Sequence, residues 1–238
     1  MNKKEAKVLN ESELIKERYS KREQNEEFRK YSIFNPEVMY AVIEKERAII
    51  NIFKSCGLIP VENKRLLEIG CGNGINLLNM IRLGFNPKNL KGNELLPDRI
   101  KAAKSILSPS VEIYEGDALE LDFERESFDI VYQSVVFTSI LNDNFQEKLA
   151  EKMWSWVKTG GGVLWYDFIY NNPSNPDVRG VTIDRVKKLF PDGEIVCKKI
   201  TLAPPISRRV TKLHPSLYSF FNMFPFLRTH VLCWIGKK

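Results

Sequence analysis

The chain has 238 residues, 43% of them apolar, and a formal net charge of +6, which suits one domain with a core of ordinary size and an appended arm or lid. It holds no apolar run of about 18 residues that could span a bilayer, and no apolar segment follows the N-terminal lysines as in a secretory signal. Four scattered cysteines without a CxxC pair argue against a disulfide framework or a zinc site and for a reducing, cytoplasmic setting, and two histidines, His214 and His230, are too few for a histidine-rich metal centre.

The first thirty or so residues are mixed in charge and read as a helical or frayed arm with no tertiary contact that can be argued. The stretch "NPEVMYAVIEKERAIINIFKSCG" has helical periodicity through Val38, Val42, Ile49, Ile52 and Phe53, with a proline at its start and Gly57 at its end. We take residues 1–57 as an N-terminal helical arm or cap and 58–238 as the main domain. "KRLLEIG" is a short buried-type strand, followed by a helix from Asn76 to Leu83. "LKGNEL" is a second strand and "PDRIKAAKSIL" a helix opened by Pro97. "VEIYEGD" and "SFDIVYQSVV" are the third and fourth strands. "NDNFQEKLAEKMWSWVKTGGG" is a helix from an Asn/Asp cap to terminating glycines, and "GGVLWYDF" a fifth strand. "TIDRVKKLFP" is a helix, and "EIVCKKITL" and "THVLCWIGKK" are strands six and seven. Strands alternating with helices predict a parallel, doubly wound sheet. The last two strands read as an antiparallel hairpin interrupted by an insertion at about 203–228.

Charge is unevenly placed. From Arg179 onward there are twelve Lys and Arg against three acids, a local surplus of +9. That asymmetry fits an anionic substrate, nucleic acid or a membrane surface, or simply a solvated basic face.

The chemistry is concentrated in "LLEIGCGNGINL", Leu66 to Leu77. Glycines at 70, 72 and 74 let the backbone turn and let a ligand approach the main chain, and the helix that follows presents free N–H groups. A dinucleotide loop needs glycine at the next checkpoint, where this chain has Ile75. Glu68, two residues before Gly70, suits a ligand that presents a cation, as S-adenosylmethionine does with its ammonium and sulfonium. Glu94 lies 22 residues beyond Gly72, where a carboxylate can accept ribose hydroxyls. Asp117 and Ala118 follow the third strand, placed to read an adenine edge, and the fourth strand delivers Gln133.

"LLEIGCGNG", "GNEL", "EGDALEL", "FDIVYQS" and "KTGGGVLWYDF" resemble, in order and spacing, the motifs of class I S-adenosylmethionine-dependent methyltransferases. The resemblance covers roughly Arg65 to Phe168. It implies an α/β, three-layer Rossmann-like methyltransferase fold, with a mostly parallel seven-stranded sheet whose last strand is antiparallel. It also implies that Glu68, Gly70, Gly72 and Asn73 line the methionine end of the cofactor, with Cys71 and Gly74 in the same loop. Glu94 holds the ribose, Leu95 lies against the adenine, Asp117 and Ala118 read the adenine, and Gln133 faces the sulfonium. Cys71 reads as a small loop residue and not as a nucleophile. "YSIFNPEVMYAVIEKERAI", "WYDFIYNNPSNPDVRGV", "TLAPPISRR" and "FPFLRTHVL" look like a bacterial subgroup associated with surface-polysaccharide or secondary-metabolite pathways.

Methyl transfer from a sulfonium is an in-line displacement, assisted by a base when the acceptor is a hydroxyl. Asp167, at the end of the fifth strand, is the first candidate base, and His214 in the insertion the second. Either could instead be structural. Tyr170, Asn171 and Arg179, in the loop after strand five, and Arg208 in the insertion are candidate acceptor contacts, although Asn-Pro pairs there also favour plain turns. Tyr31 or Tyr40 could close over the cofactor, although core packing explains those aromatics equally well. The apolar stretch Leu217 to Leu227 reads as a lid packed on the domain or as an interfacial membrane contact for a lipid-linked substrate.

The expected reaction is O- or N-methylation of a small-molecule or glycan acceptor. A non-catalytic, nucleic-acid-associated or membrane-associated use of the fold is the alternative. Nucleic acid is disfavoured because "QSVVF" stands where a base-flipping enzyme would carry Asn-Pro-Pro-Tyr. Oligomeric state and acceptor identity are not legible.

Overall fold

The computed structural model describes residues 10–23, 30–173 and 175–238. Seven strands form one sheet in the order β3-β2-β1-β4-β5-β7-β6. They are β1 (Leu66–Ile69), β2 (Leu90–Glu94), β3 (Glu112–Glu115), β4 (Phe128–Ser134), β5 (Val157–Phe168), β6 (Glu194–Leu202) and β7 (Arg228–Gly236). Strands β1 to β5 pair in parallel, and β7 runs antiparallel to both β5 and β6. The helices are α1 (Glu11–Glu23), α2 (Pro36–Ser55), α3 (Ile75–Arg82), α4 (Pro97–Ile106), α5 (Asp143–Trp156), α6 (Ile183–Leu189), α7 (Pro204–Leu213) and α8 (Leu217–Asn222).

The central strands are buried on both faces, so their residues alternate between two cores. Leu66, Ile130, Tyr132, Leu164 and Tyr166 point toward α2, α3 and α4. Leu67, Val131, Val163 and Trp165 point toward α5 and α6. This alternation decides which polar residue reaches which side: Glu68 shares the face of Leu66, whereas Asp167 shares the face of Trp165.

Proline at the N-terminal positions opens α2, α4 and α7, where its missing N–H costs nothing. Asn142 caps α5 by accepting from the Phe145 N–H at 3.0 Å. That helix stops at Trp156, earlier than its glycines suggest, and Val157 to Gly161 already belong to β5. The reason is packing. A Cβ on Gly162 would come within 2.4 Å of the Trp234 ring on β7, and one on Gly161 within 2.5 Å of the Asp129 carbonyl oxygen. These glycines permit close strand contact and do not terminate a helix.

The insertion between β6 and β7 holds α7 and α8 and lies against α2. Tyr218 is buried and stacks on Tyr40 with ring centroids 5.3 Å apart. Glu44 of α2 accepts from the Tyr218 hydroxyl at 3.1 Å, from Asn222 Nδ2 at 2.7 Å and from the Thr201 N–H at 3.0 Å.

The cysteines correct one expectation. Cys197 and Cys233 face each other in the β6–β7 register and form a disulfide. They are 36 positions apart, and only the long-range pairing of the two strands brings them together. Cys56 and Cys71 are free thiols. Titration of thiols in guanidinium without reductant should give two per chain; four would contradict the disulfide.

Candidate active site

The sheet order reverses direction between β1 and β4, and in open parallel sheets the crevice at that switch point takes ligands. A cavity of about 330 Å³ opens there, walled by the carboxyl ends of β1, β2 and β4, the turn after β3, and one face of α1. That volume is at the small end of small-molecule sites.

Glu94 dominates one wall. Its Oε2 accepts from the Gly72 N–H at 2.8 Å, and its Oε1 from the N–H groups of Leu95 and Leu96 at 2.8 and 3.0 Å. The carboxylate thus joins the end of β2 to the loop after β1. Gly72 has φ +56° and an added Cβ would meet nothing within 4 Å, so bare backbone faces open space at this point. Gly70 is different: a Cβ there would lie 2.6 Å from Val136, which folds over the loop. Asp117 caps the turn after β3, accepting from the Leu119 N–H at 2.8 Å, and its other oxygen accepts from the Ser12 hydroxyl.

On the opposite wall β4 ends in a strained turn. Val135 has φ +61°, a rare conformation for a β-branched residue. It persists because the Val135 N–H donates to the Tyr166 carbonyl at 2.8 Å and the Val136 N–H to Gln133 Oε1 at 3.1 Å. Strain of this kind clusters at functional sites.

Of the residues singled out in the sequence, Gly70, Cys71, Gly72, Glu94, Leu95, Asp117 and Ala118 line this cavity together. Glu68, Asn73, Gly74 and Gln133 do not. Asn73 is exposed and Gly74 is the buried residue from which α3 starts. Gln133 is buried on the α5 face of the sheet and braces the β4 turn, so its neighbour Ser134 reaches the cavity instead. The Cys71 thiol is pushed far up by burial, which leaves no reactive thiolate.

Glu68 stands behind the wall. It is fully buried, and its Oε1 accepts from Asn76 Nδ2 at 2.7 Å while its Oε2 has no partner among the described residues. Asn76 lines the cavity, and its Oδ1 accepts from Lys45 Nζ of α2 at 3.0 Å. Burial raises the Glu68 carboxyl to about 8, against the hydrogen bond from Asn76 and the charge of Lys45. Burial likewise lowers the Lys45 ammonium, with Glu68 opposing.

Asp167 is fully buried on the α5 side, where its Oδ1 accepts from the Thr138 hydroxyl at 2.7 Å. Burial raises its carboxyl to about 7, with Thr138 pulling the other way. It supports the loop that carries Val136 and Ser139 and does not itself line the cavity. His214 is exposed at the end of α7, its Nδ1 accepting from the Ser216 N–H at 3.2 Å, also away from the cavity. Asn171 accepts from the Gly180 N–H at 2.9 Å and closes its own loop, Arg179 pairs with Asp143, and Tyr170 lies near Lys199. With Arg208 on α7, none of these lines the cavity. Tyr31 is exposed, and Tyr40 is taken up by Tyr218.

Sequence reasoning missed the arm. Ser12, Ile15 and Tyr19 fall on one face of α1 and close the cavity. The Tyr19 hydroxyl meets Ser139 Oγ at 3.1 Å, Arg18 donates to the Ser139 carbonyl at 3.0 Å, and the Arg99 guanidinium sits 4.4 Å from the Tyr19 ring centroid. The only signal was that spacing, in a helix with few apolar residues. Lys45 and Asn76 were missed because a lone lysine on an amphipathic helix reads as solvated.

Residues 66–161 match the family described as a methyltransferase domain. The phthiotriol/phenolphthiotriol dimycocerosates methyltransferase of Mycobacterium leprae is 32% identical over 134 residues, which cover 56% of this chain and 47% of that protein. Rat arsenite methyltransferase is 22% identical over 178 residues, 66% of this chain and 47% of that protein. The chain thus spans about half the length of the curated relatives it matches. Among solved structures, an S-adenosylmethionine-dependent methyltransferase of Thermotoga maritima superposes with a TM-score of 0.62, at 18% identity, over 94% of this chain and 99% of that one. The cyclase SpnF superposes with a TM-score of 0.55, at 13% identity, over 81% of this chain and 80% of that one. The match is thus to a methyltransferase domain over residues 66–161, and the chain as a whole has the fold of S-adenosylmethionine-dependent methyltransferases.

The buried carboxyl gives a direct test. The contribution of Glu68 to stability is complete below its ordinary pKa of 4.5 and is lost as pH rises through about 8. Between pH 5 and pH 9 the Glu68→Gln variant should therefore gain roughly 2–4 kcal/mol relative to wild type, read by urea denaturation at each pH. A constant difference would contradict this placement of Glu68.

Proposed function

We propose that the chain is an S-adenosylmethionine-dependent methyltransferase whose cofactor lies in the cavity between β1, β2 and β4, and that it methylates oxygen or nitrogen on a small-molecule, glycan or lipid-like acceptor. The observation that carries this reading is the joint placement of Glu94, Gly72 and Asp117 on one wall. Two acidic side chains flank a stretch of bare backbone, as a molecule with a diol, an adenine and a cationic end requires. Glu94 would hold the ribose, Leu95, Asp117 and Ala118 the adenine, and the Gly70–Gly72 backbone with Asn76 the amino-acid end. Behind Asn76, Glu68 supplies a carboxyl that a nearby cation would ionise.

When bound, S-adenosylmethionine supplies an electrophilic methyl group. The chain's own part is placement and exclusion of water. The Ser12, Ile15 and Tyr19 face of α1 shuts one side of the cavity, and the Val135 turn with Ser134 and Ser139 bounds the other. Holding an acceptor in line against a fixed donor removes much of the barrier by itself. The Asp167 carboxyl, near 7, can change its charge in the physiological range, but its place behind Thr138 makes it a support of that wall in this proposal.

The lipid-like acceptor is favoured by the named substrates of the mycobacterial relatives. A phosphate footprint is disfavoured, because part of the basic surplus meets acids from outside that segment: Arg179 and Arg185 pair with Asp143, Arg185 also with Glu147, and Lys237 with Glu126. A second reading, a different reaction on the same fold, is kept in view by the superposition with a cyclase.

Calorimetry separates these. Titration with S-adenosylmethionine should show one site per chain, weakened at least about tenfold by Glu94→Ala, the loss of a charge-assisted contact set. No heat with wild type would end the proposal. Transfer is read as a product +14 in mass after incubation with S-adenosylmethionine and a lipid or glycan extract; binding without transfer to any fraction would favour the second reading.

A further inference from the structure

The insertion between β6 and β7 is built in two layers. Its inner side chains, Tyr218 and Thr211, are buried, tied to Glu44 and Glu37 of α2. Its outer side chains are apolar and left in solvent: Leu213 is 81% exposed, Phe220 53%, Met223 68% and Phe226 74%. The aromatic members touch one another, with Phe220 and Phe224 centroids 5.9 Å apart and Phe224 and Phe226 5.8 Å apart, so they form a continuous ledge. Phe34, 92% exposed, precedes the same end of α2 that Thr211 contacts. Isolated exposed apolar residues need no explanation, but a contiguous aromatic ledge does.

Charge indicates what covers it. From Ala203 to Lys238 there is no Asp or Glu. Arg209 and Lys212 of α7 are exposed, and no acid among the described residues pairs with either of them or with Arg208. The acids of α2 nearest the insertion, Glu37 and Glu44, are turned inward onto its hydroxyl and amide groups. The outward surface therefore combines large apolar side chains with uncompensated positive charge. No described helix is long and apolar enough to cross a membrane. Aromatic residues beside Arg and Lys on a short amphipathic element are what an interfacial contact with anionic lipid requires.

We infer that the α7–α8 ledge docks the protein on the surface of an anionic lipid bilayer. The contact does not depend on the cofactor reading, though it would bring a lipid-borne acceptor to the molecule. It also has a route to the cavity. Glu44 holds the insertion while its neighbour Lys45 holds Asn76 on the cavity wall, so one turn of α2 touches both.

Vesicle co-sedimentation tests this, using phosphatidylcholine with and without phosphatidylglycerol. Wild type should pellet with the anionic vesicles only, less so at high salt. Phe220→Ser with Phe226→Ser, and separately Arg209→Glu with Lys212→Glu, should each cut binding at least about tenfold. These are exposed positions, and unchanged melting temperature and cofactor heat would show that fold and site are intact. No binding by wild type, or equal binding by the variants, overturns the inference. So does concentration-dependent self-association in sedimentation velocity that the phenylalanine variant abolishes, which would assign the ledge to a second copy. If wild type binds vesicles but not S-adenosylmethionine, the cofactor reading fails and the docking surface stands.

Discussion

The site depends on where one carboxylate is held. Glu94 accepts three backbone N–H groups, one from the loop after β1 and two from its own strand end. Charge-assisted bonds of this kind are short and directional, and these fix the first loop against the second strand. Without them the Gly70–Gly74 loop, which has left-handed conformations at all three glycines, would have little to define it. The loop is pinned a second time by Val136, which occupies the space a side chain at position 70 would need. Val136 is in turn set by the strained residue before it. The cavity is thus the product of a few exact fits at strand ends, and the sheet beneath supplies their rigidity.

Around that frame the polar groups are arranged in depth. Glu94 and Asp117 face the cavity, while Glu68 and Asp167 lie behind its walls on opposite faces of the sheet, each raised by burial toward neutral pH. Asn76, on the wall itself, bonds Glu68, and Thr138 bonds Asp167. A cation arriving at the cavity would be felt by Glu68 through one amide, and α2 would sense it through Lys45. The same helix grips the basic, aromatic insertion through Glu44, so cofactor wall and docking surface share one support.

Much of this was legible in the sequence. Strands buried on both faces read as apolar runs, and the spacing of Glu68, Gly72, Glu94 and Asp117 follows from strand ends meeting at one edge. Pattern alone could not decide which face a strand-end side chain takes: Gln133 points away and Ser134 points in, a difference of one position. Nor could it show that α1 folds back over the cavity, since three positions on one mostly charged helix face carry that contact. The Cys197–Cys233 bridge was hidden for the same reason. It follows from the register of two strands separated by a long insertion, and spacing between cysteines carries no trace of it. His214, read as a second candidate base or a structural residue, closes a turn at the end of α7.

The proposed place of the cofactor is between Glu94, the glycine loop and α1. Hydrogen–deuterium exchange with and without S-adenosylhomocysteine reads that position. Binding there should slow exchange in three places at once: the loop from Gly70 to Asn76, the amides of Leu95 and Leu96, and helix α1. Protection of the loop and strand end without α1 would remove the arm from the site, and protection confined to other parts of the sheet would place the cofactor elsewhere.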